Sequence, residues 1–367
     1  MEDIQIFRKE IDTVDARIAE LFKERMRVVK KIAAWKKEHG LPVFDAKREK
    51  EILEKAAARF DDRELAAYYL VFLEDLMRVS KRYQTRLTSG MQIAYAGVQG
   101  AFADVASKRI FPSGEHVGYG DFEEAYRAVE RGECDCAVLP VENSYAGTVG
   151  SVMDLIFEGD LYVTGMYDLP VSQNLLGVPG AALSDVKMVV SHPQALAQCA
   201  PFIKRMGFET RTAENTAVAA KAVAQAGDIS VAAIAGRETA SLYGLTVLDH
   251  DINESALNST RFAVLSKAAT KSGGDDRFIL MFTVNDVAGA LAGAVNVIAS
   301  HGFNMKSLKS RPVKNKAWQY YFYVEAEGDE TSGEGREMLK ELSEKCGKLK
   351  IAGHFGAAIE LKDGEKV

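Results

Sequence analysis

The chain has 367 residues, 47% hydrophobic and 27% charged, with a mean hydropathy of -0.11 and a formal charge of -6. This apolar content excludes disorder, eight prolines among 30 unperiodic glycines exclude a collagen repeat, and no uncharged apolar stretch of about 18 residues offers a membrane span. The charged start, Met1 to Glu10, has no apolar segment of an export signal, so the expected location is the cytoplasm. Cys134, Cys136, Cys199 and Cys346 are too few and scattered for a disulfide framework and read as reduced thiols. No second close pair, and no histidine at ligand spacing, accompanies Cys134 and Cys136, so no metal site is expected.

Residues 1–90 carry a net charge of +3 (20 Lys and Arg against 17 Asp and Glu) and the remainder -9 (26 against 35). That balance fits an anionic small ligand and falls short of a nucleic-acid patch. Apolar residues at Ile4, Phe7, Ile11, Val14, Ile18, Leu21, Val28, Ile32 and Trp35 alternate by three and four with no Gly or Pro inside, which predicts one long amphipathic helix. Arg25 places a guanidinium on that seam, and Lys36, three turns later, lies on nearly the same face.

Gly40 and Pro42 end the helix, Asp45 can cap a second one running to about Arg59, and Asp62 a third. The third repeats the alternation at Leu65, Tyr69, Phe72, Leu76, Val79 and Tyr83. Seams along a first helix of roughly 45 Å cannot all be buried inside one small monomer, so an interdigitated dimer is expected. Asp45, Arg48 and Glu49 share a face, as do Ser80 and Gln84.

From Arg8 through Gln84 the segment resembles the all-helical chorismate mutases. The resemblance rests on Arg8, Arg25, Lys36, Asp45, Arg48, Glu49, Ser80 and Gln84. It implies that Arg25 and an Arg8 from the other chain hold the two carboxylates of chorismate, with Arg48 assisting. Lys36 and Gln84 would donate to the ether oxygen, and Glu49 would bind the substrate hydroxyl. Such residue types suit a pericyclic rearrangement, which needs a fixed conformer and aimed donors but no nucleophile and no cofactor.

After Ser89-Gly90 the texture becomes α/β. A strand, Ile93 to Ala96, leads through Gly97-Val98-Gln99-Gly100 into a helix, an arrangement suited to an anion but lacking the third glycine of a dinucleotide fingerprint. A helix (122–131) and a strand (136–141) ending in Glu142-Asn143-Ser144 follow. A second set runs from the strand at 186–191 through Ser191-His192-Pro193-Gln194, a strand at 208–212, Glu214-Asn215-Thr216 and a strand at 230–234, to a last strand at 260–265.

Glu142-Asn143-Ser144, Ser191-His192-Pro193-Gln194 and Asn258-Ser259-Thr260-Arg261-Phe262 resemble the three motifs of prephenate dehydratases. The match implies a two-lobed fold like that of periplasmic binding proteins, with prephenate in the cleft. Thr260 would be the essential hydroxyl and Glu142, Asn143, Ser144, Gln194 and Glu214 would line the pocket. Ser191, Asn258, Arg261 and Phe262 enter as motif residues. Prephenate loses carbon dioxide and hydroxide in one fragmentation driven by aromatisation, so a positioned hydroxyl donor suffices, with Arg261 or the cleft's dipoles on the carboxylate.

Beyond the polar linker Thr270 to Asp276, strands and helices follow in the order βαββαβ, with a turn at Asn315-Lys316, which predicts a ferredoxin-like module. It resembles an ACT domain, with Gly289-Ala290-Leu291 and Ser310-Arg311-Pro312 similar to phenylalanine-binding motifs. Lys309 stands where those motifs usually carry Glu, and Ala292 where Val is usual.

The expected whole is a multidomain chain. An all-α, intertwined-dimer chorismate mutase domain occupies 1–90, a two-lobed α/β dehydratase domain 91–268 and an α+β ACT regulatory domain 277–367. Taken in order, the resemblances imply the bifunctional chorismate mutase/prephenate dehydratase family of phenylalanine biosynthesis. Its small-molecule partners would be chorismate, prephenate and phenylalanine, in a homodimer or higher homo-oligomer without cofactor, nucleic acid or membrane. Two rivals are a ligand-sensing transcriptional regulator, for which the first helix is too long and acidic, and a dehydratase whose helices only dimerise.

Overall fold

The computed structural model describes residues 2–362 apart from Ala256, Thr270, Ser272, Asn315 and Ala317. The turn expected at Asn315, the head of the linker at Thr270 and the chain end at 363–367 lie outside the described residues. The chain divides into two compact units, one of residues 1–92 with 113–115 and one of 93–112 with 116–367. No helix among the described residues is long and apolar enough to cross a membrane.

The first unit is three helices, α1 (Glu2–Glu38), α2 (Ala46–Ala57) and α3 (Arg63–Ser89). Their starts follow from the sequence. Asp45 accepts from Arg48 N at 3.0 Å, and Asp62 from Glu64 N and Leu65 N at 2.9 and 3.2 Å, so each carboxylate satisfies first-turn donors that lack an intrahelical partner. Ala56, Leu73 and Met77 form a small core, and α1 buries Val29 and Ala33. Most of the α1 seam stays in solvent, with Ile11 60%, Leu21 63% and Trp35 54% exposed.

The second unit begins with β1 (Gln92–Ala96), α4 (Phe102–Ile110), β2 (Glu115–Tyr119), α5 (Phe122–Arg131), β3 (Cys136–Asn143), β4 (Gly147–Thr148), α6 (Gly150–Glu158) and β5 (Tyr162–Pro170). The chain then crosses to a second lobe, with β6 (Asn174–Gly177), β7 (Met188–Ser191), α7 (Pro193–Gln198), α8 (Ala200–Met206), β8 (Glu209–Thr212), α9 (Thr216–Ala226), β9 (Val231–Ala235), α10 (Arg237–Tyr243) and β10 (Thr246–Asp249). It returns to the first lobe in β11 (Ser259–Ser266). Two crossings between two sheets leave a cleft, and residues 171–173 with 250–255 and 257–258 connect the lobes. Val171 N donates to Asn258 O at 2.8 Å, as does Ile252 N to Gln173 O at 2.8 Å.

Periodicity leaves the stretch from β4 to β6 unassigned. In α6 six consecutive residues, Val152 to Phe157, are buried, and a helix covered on all sides has no amphipathic signal.

The C-terminal part adds β12 (Arg277–Val284), α11 (Ala290–Ser300), β13 (Asn304–Pro312), β14 (Tyr320–Glu327), α12 (Gly333–Lys345), β15 (Cys346–Phe355) and β16 (Ile359–Glu360). Its four main strands run β13-β14-β12-β15, and β15 meets β5, so one 11-stranded sheet continues as β5-β11-β3-β1-β2. Alternation along β12 divides the two sides of this layer. Phe278, Leu280 and Phe282 pack with α11 and α12, while Ile279 and Met281 join Tyr321, Tyr323 and Phe157 in the first-lobe core.

Candidate functional site

In the helical unit, α1 and α3 bring Arg25 against Ser80, whose Oγ accepts from the guanidinium and donates to Leu76 O at 2.7 Å. Partial burial lowers the Arg25 pKa from its ordinary value. Lys36 Nζ donates to Val43 O at 2.6 Å, and Gln84 is buried with Nε2 donating to Ser80 O at 3.4 Å and Oε1 without a partner. Glu49 is held by Lys81 at 2.8 Å, a residue the motif reading passed over although it adjoins Ser80 and lies 5.0 Å from the Phe44 ring. Two other expected ligands are engaged locally. Asp45 is the cap of α2, and Arg48 points along the helix to Glu51 at 3.4 Å. Arg8 is exposed. It lies roughly 26 Å along α1 from Arg25, too far to serve the same small ligand within one chain.

In the second unit a cavity of about 410 Å³ opens between the lobes. Thr260 and Phe262 of β11, Pro140 and Asn143 of β3, Gln194 of α7, and Glu214 line it. Asn143 is its hub. Its Nδ2 donates to Thr260 Oγ1 at 2.9 Å, to Asn258 Oδ1 at 3.1 Å and to Ser259 O at 3.2 Å. Its Oδ1 accepts from Tyr145 N, Ala146 N and, across the cleft, Gln194 Nε2 at 3.4 Å. With Thr260 Oγ1 accepting from an amide, the hydroxyl proton is left for the cavity.

His192, the cap of α7, also lines the wall, whereas Arg261, Glu142, Ser144, Ser191 and Asn258 stay off it, each for a local reason. Thr260 pairs with Asn143 and Arg261 with Glu142, but the register then shifts so that Phe262 opposes Pro140. Side chains alternate along each strand, so Thr260 and Asn143 face the cleft while Arg261 and Glu142 face the other way, and the bulge at Val141 returns Pro140 to the cleft side. Arg261 grips Asp168 through two bonds at 2.8 and 3.0 Å, which raises its pKa, and Glu142 pairs with Lys309 at 2.7 Å. Ser144 ties the end of β3 to Leu257 O at 3.1 Å and Ser259 N at 3.0 Å. Ser191 is fully buried, donating to Ile234 O at 2.6 Å, and the buried Asn258 supports Asn143 from behind.

Residues the motifs did not signal also line the wall, among them Phe102, Phe122, Gln173 and Gln198. Gln173 is 2% exposed and its Oε1 lacks a partner, so a buried polar atom awaits a ligand group or water there. Among the described lining residues there is no lysine or arginine. Positive potential comes instead from helix N-termini: α4 begins at the wall without a side-chain cap, and α9 begins there at Thr216.

A second cavity, about 710 Å³, lies beside α11 and is lined by Asn285, Asp286, Ala290, Leu291, Trp318 and Lys348 among others. Gly289, at φ +83, is the residue before α11 and makes the left-handed turn that only glycine adopts freely. Ser310 and Pro312 point outward from β13, whereas Arg311 is taken by Asp154 at 3.0 Å and is not free for an effector.

A family model described as chorismate mutase type II matches residues 7–85, and one described as prephenate dehydratase matches 93–270. The bifunctional chorismate mutase/prephenate dehydratase of Aquifex aeolicus (strain VF5) is 31% identical over 370 residues, 98% of this chain and 99% of that one. The prephenate dehydratase of Arthrobacter aurescens in complex with L-Phe aligns with TM-score 0.68 and 26% identity over 75% of this chain and 92% of that one. A solved chain described as GqqA, a novel type of quorum quenching acylase, aligns with TM-score 0.67 and 30% identity over 73% and 98%.

Proposed function

Because this chain belongs to the bifunctional chorismate mutase/prephenate dehydratases and carries both activities of phenylalanine biosynthesis, we propose how its residues perform and control them. The isomerase is assigned to 1–90, the lyase to 91–268, and 277–367 to an ACT-type sensor.

For the first reaction, Arg25 and the partner subunit's Arg8 hold the chorismate carboxylates, Lys36 and Gln84 donate to the ether oxygen as its bond breaks, and Glu49 binds the hydroxyl. Ser80 orients Arg25 and Lys81 orients Glu49. The catalytic gain is conformational and electrostatic: the bound conformer is reactive, and the donors meet charge that grows in the transition state. A homodimer is supported by the exposed α1 seam and by the distance between Arg8 and Arg25 in one chain.

For the second, the carboxylates of prephenate sit against the N-termini of α4 and α9, and the ring hydroxyl faces Thr260. The carbon–carboxylate bond breaks, its electron pair enters the ring, and hydroxide departs against the Thr260 O–H. The Asn143 contact to Thr260 Oγ1 carries this reading, because it aims the hydroxyl as a donor. Acyl transfer would need a base on that oxygen, and its partner is an amide.

Phenylalanine is assigned to the cavity beside Ala290 and Leu291, supported by the L-Phe complex of the Arthrobacter neighbour. Product analysis with chorismate alone tests the whole account. Prephenate followed by phenylpyruvate is expected, with phenylalanine suppressing the second product. Failure to form prephenate refutes the first assignment, and prephenate that accumulates unchanged refutes the second.

A further inference from the structure

Loop 144–149 joins Asn143 of β3 to α6, and Val149 at its end lines the cleft cavity. Both anchors of this loop are held from behind by one strand of the C-terminal part. Along β13 the residues that turn towards the first lobe are Ser307, Lys309 and Arg311, whereas Met305, beyond a register shift, packs on the α11 and α12 side. Lys309 Nζ lies 2.7 Å from Glu142 Oε2, next in sequence to Asn143, and Arg311 Nε lies 3.0 Å from Asp154 Oδ1 on α6. Tyr321 OH also donates to Asp154, at 2.7 Å. Lys309 rests over the Tyr323 ring at 5.8 Å to its centroid, which with the ion pair restricts where its ammonium can lie.

Glu142 opposes Arg261 in the same ladder step that follows Thr260 opposite Asn143. The back of this pair of strands is therefore clamped at the level of the catalytic pair, by Asp168 on Arg261 and by Lys309 on Glu142. The bulge at Val141 interrupts the regular ladder next to this step. An interrupted ladder determines the strand position less strictly, so a side-chain tie has more to do there.

Building on the dehydratase reading above, we propose that Lys309 is a positioning residue of the lyase: through Glu142 it holds the end of β3 and sets Asn143 against Thr260. The C-terminal part is then a piece of the catalytic scaffold, whatever ligand it senses. Because neither Lys309 nor Glu142 reaches the cavity, losing the pair disturbs the geometry of the Thr260 donor more than substrate binding at the helix N-termini.

The test compares Lys309→Met, Lys309→Arg, Lys309→Glu, and Lys309→Glu combined with Glu142→Lys, all in the full chain. Expected are a fall in dehydratase kcat of about tenfold for Lys309→Met and a larger one for Lys309→Glu, with KM within about twofold. Lys309→Arg and the charge exchange should return kcat to within about threefold of wild type. Mutase turnover of the same preparations, from the other unit, reports folding and concentration and should stay constant. Unchanged kcat in Lys309→Met, a loss in Lys309→Arg equal to that in Lys309→Met, or no recovery on charge exchange would each overturn the proposal. A wild-type chain that makes no phenylpyruvate would instead sink the dehydratase reading itself.

Discussion

Asn143 Nδ2 donates to Thr260 Oγ1, and the proposed lyase role of that hydroxyl sets the expectation for substitution. If Thr260 donates to the departing hydroxide, Thr260→Ala should lower phenylpyruvate formation by about a hundredfold or more while prephenate formation continues. Thr260→Ser keeps the donor and should retain much of the activity. Dehydratase turnover of Thr260→Ala within about threefold of wild type, roughly 0.7 kcal/mol of barrier, would show that the hydroxyl has no such role. A second residue-level expectation concerns Gly150, at the start of α6, where an added methyl would overlap the Arg311 guanidinium. Gly150→Ala therefore displaces Arg311 from Asp154 and should cost about 1–3 kcal/mol, read as a lower urea midpoint of dehydratase unfolding.

At the scale of elements, α6 is gripped along its length by the C-terminal strands. Arg311 and Tyr321 hold Asp154 in its middle, and Lys348 and Lys350 of β15 meet carbonyls at its end, Lys348 Nζ donating to Phe157 O at 2.8 Å and Lys350 Nζ to Ile156 O at 2.6 Å. Cations suit a helix C-terminus, where unpaired carbonyls concentrate negative potential. Burial, aided by the neighbouring Lys348 charge, pushes the Lys350 pKa down to about 8 from its ordinary 10.5. Between those values the unfolded chain binds more protons than the folded one, so stability from this group rises with pH from about 8 towards 10.5. Urea midpoints at pH 7.5 and 9.5 should show that gain in wild type relative to Lys350→Met, and equal changes in the two proteins would remove Lys350 as its source. On the opposite face of the chemistry, the bulge in β3 is the element that decides which motif side chains see the cleft, turning Pro140 and Asn143 inward and Glu142 away.

For the molecule as a whole, the exposed α1 seam and the position of Arg8 lead to a test of the shared mutase site. Arg8→Ala and Arg25→Ala chains are each expected to be nearly inactive as mutases. Co-expressed, they form hybrid dimers in which one composite site has both arginines and the other neither, so random mixing should restore on the order of a quarter of wild-type mutase activity. Hybrid dimers without recovery would place Arg8 outside the site of the other subunit. The dehydratase should run normally in every one of these combinations, since its cavity is built from the second unit alone.

Local signals in the sequence determined the three helices of the first unit, because uninterrupted three-four alternation and the carboxylates of Asp45 and Asp62 leave little choice of boundary. Thr260, Asn143, Gln194 and Glu214 were grouped in one site by the resemblance to prephenate dehydratases rather than by any local signal, and the fold brings all four to one cavity, at strand ends and helix starts where an α/β sheet gathers its ligands. Which side chains turn away was a tertiary matter. The bulge at Val141 and the charges on Asp168 and Lys309 drew Arg261 and Glu142 to the back of the sheet, and spacing along the chain carries no record of a partner more than ninety residues distant. The same holds for α6, buried on every side and so silent to periodicity, and for Gln173, which lines the cavity only because the connection between the lobes brings it there. With no lysine or arginine among the described lining residues, the helix N-termini at the wall are sources of positive potential, and folding alone aims them at one cavity.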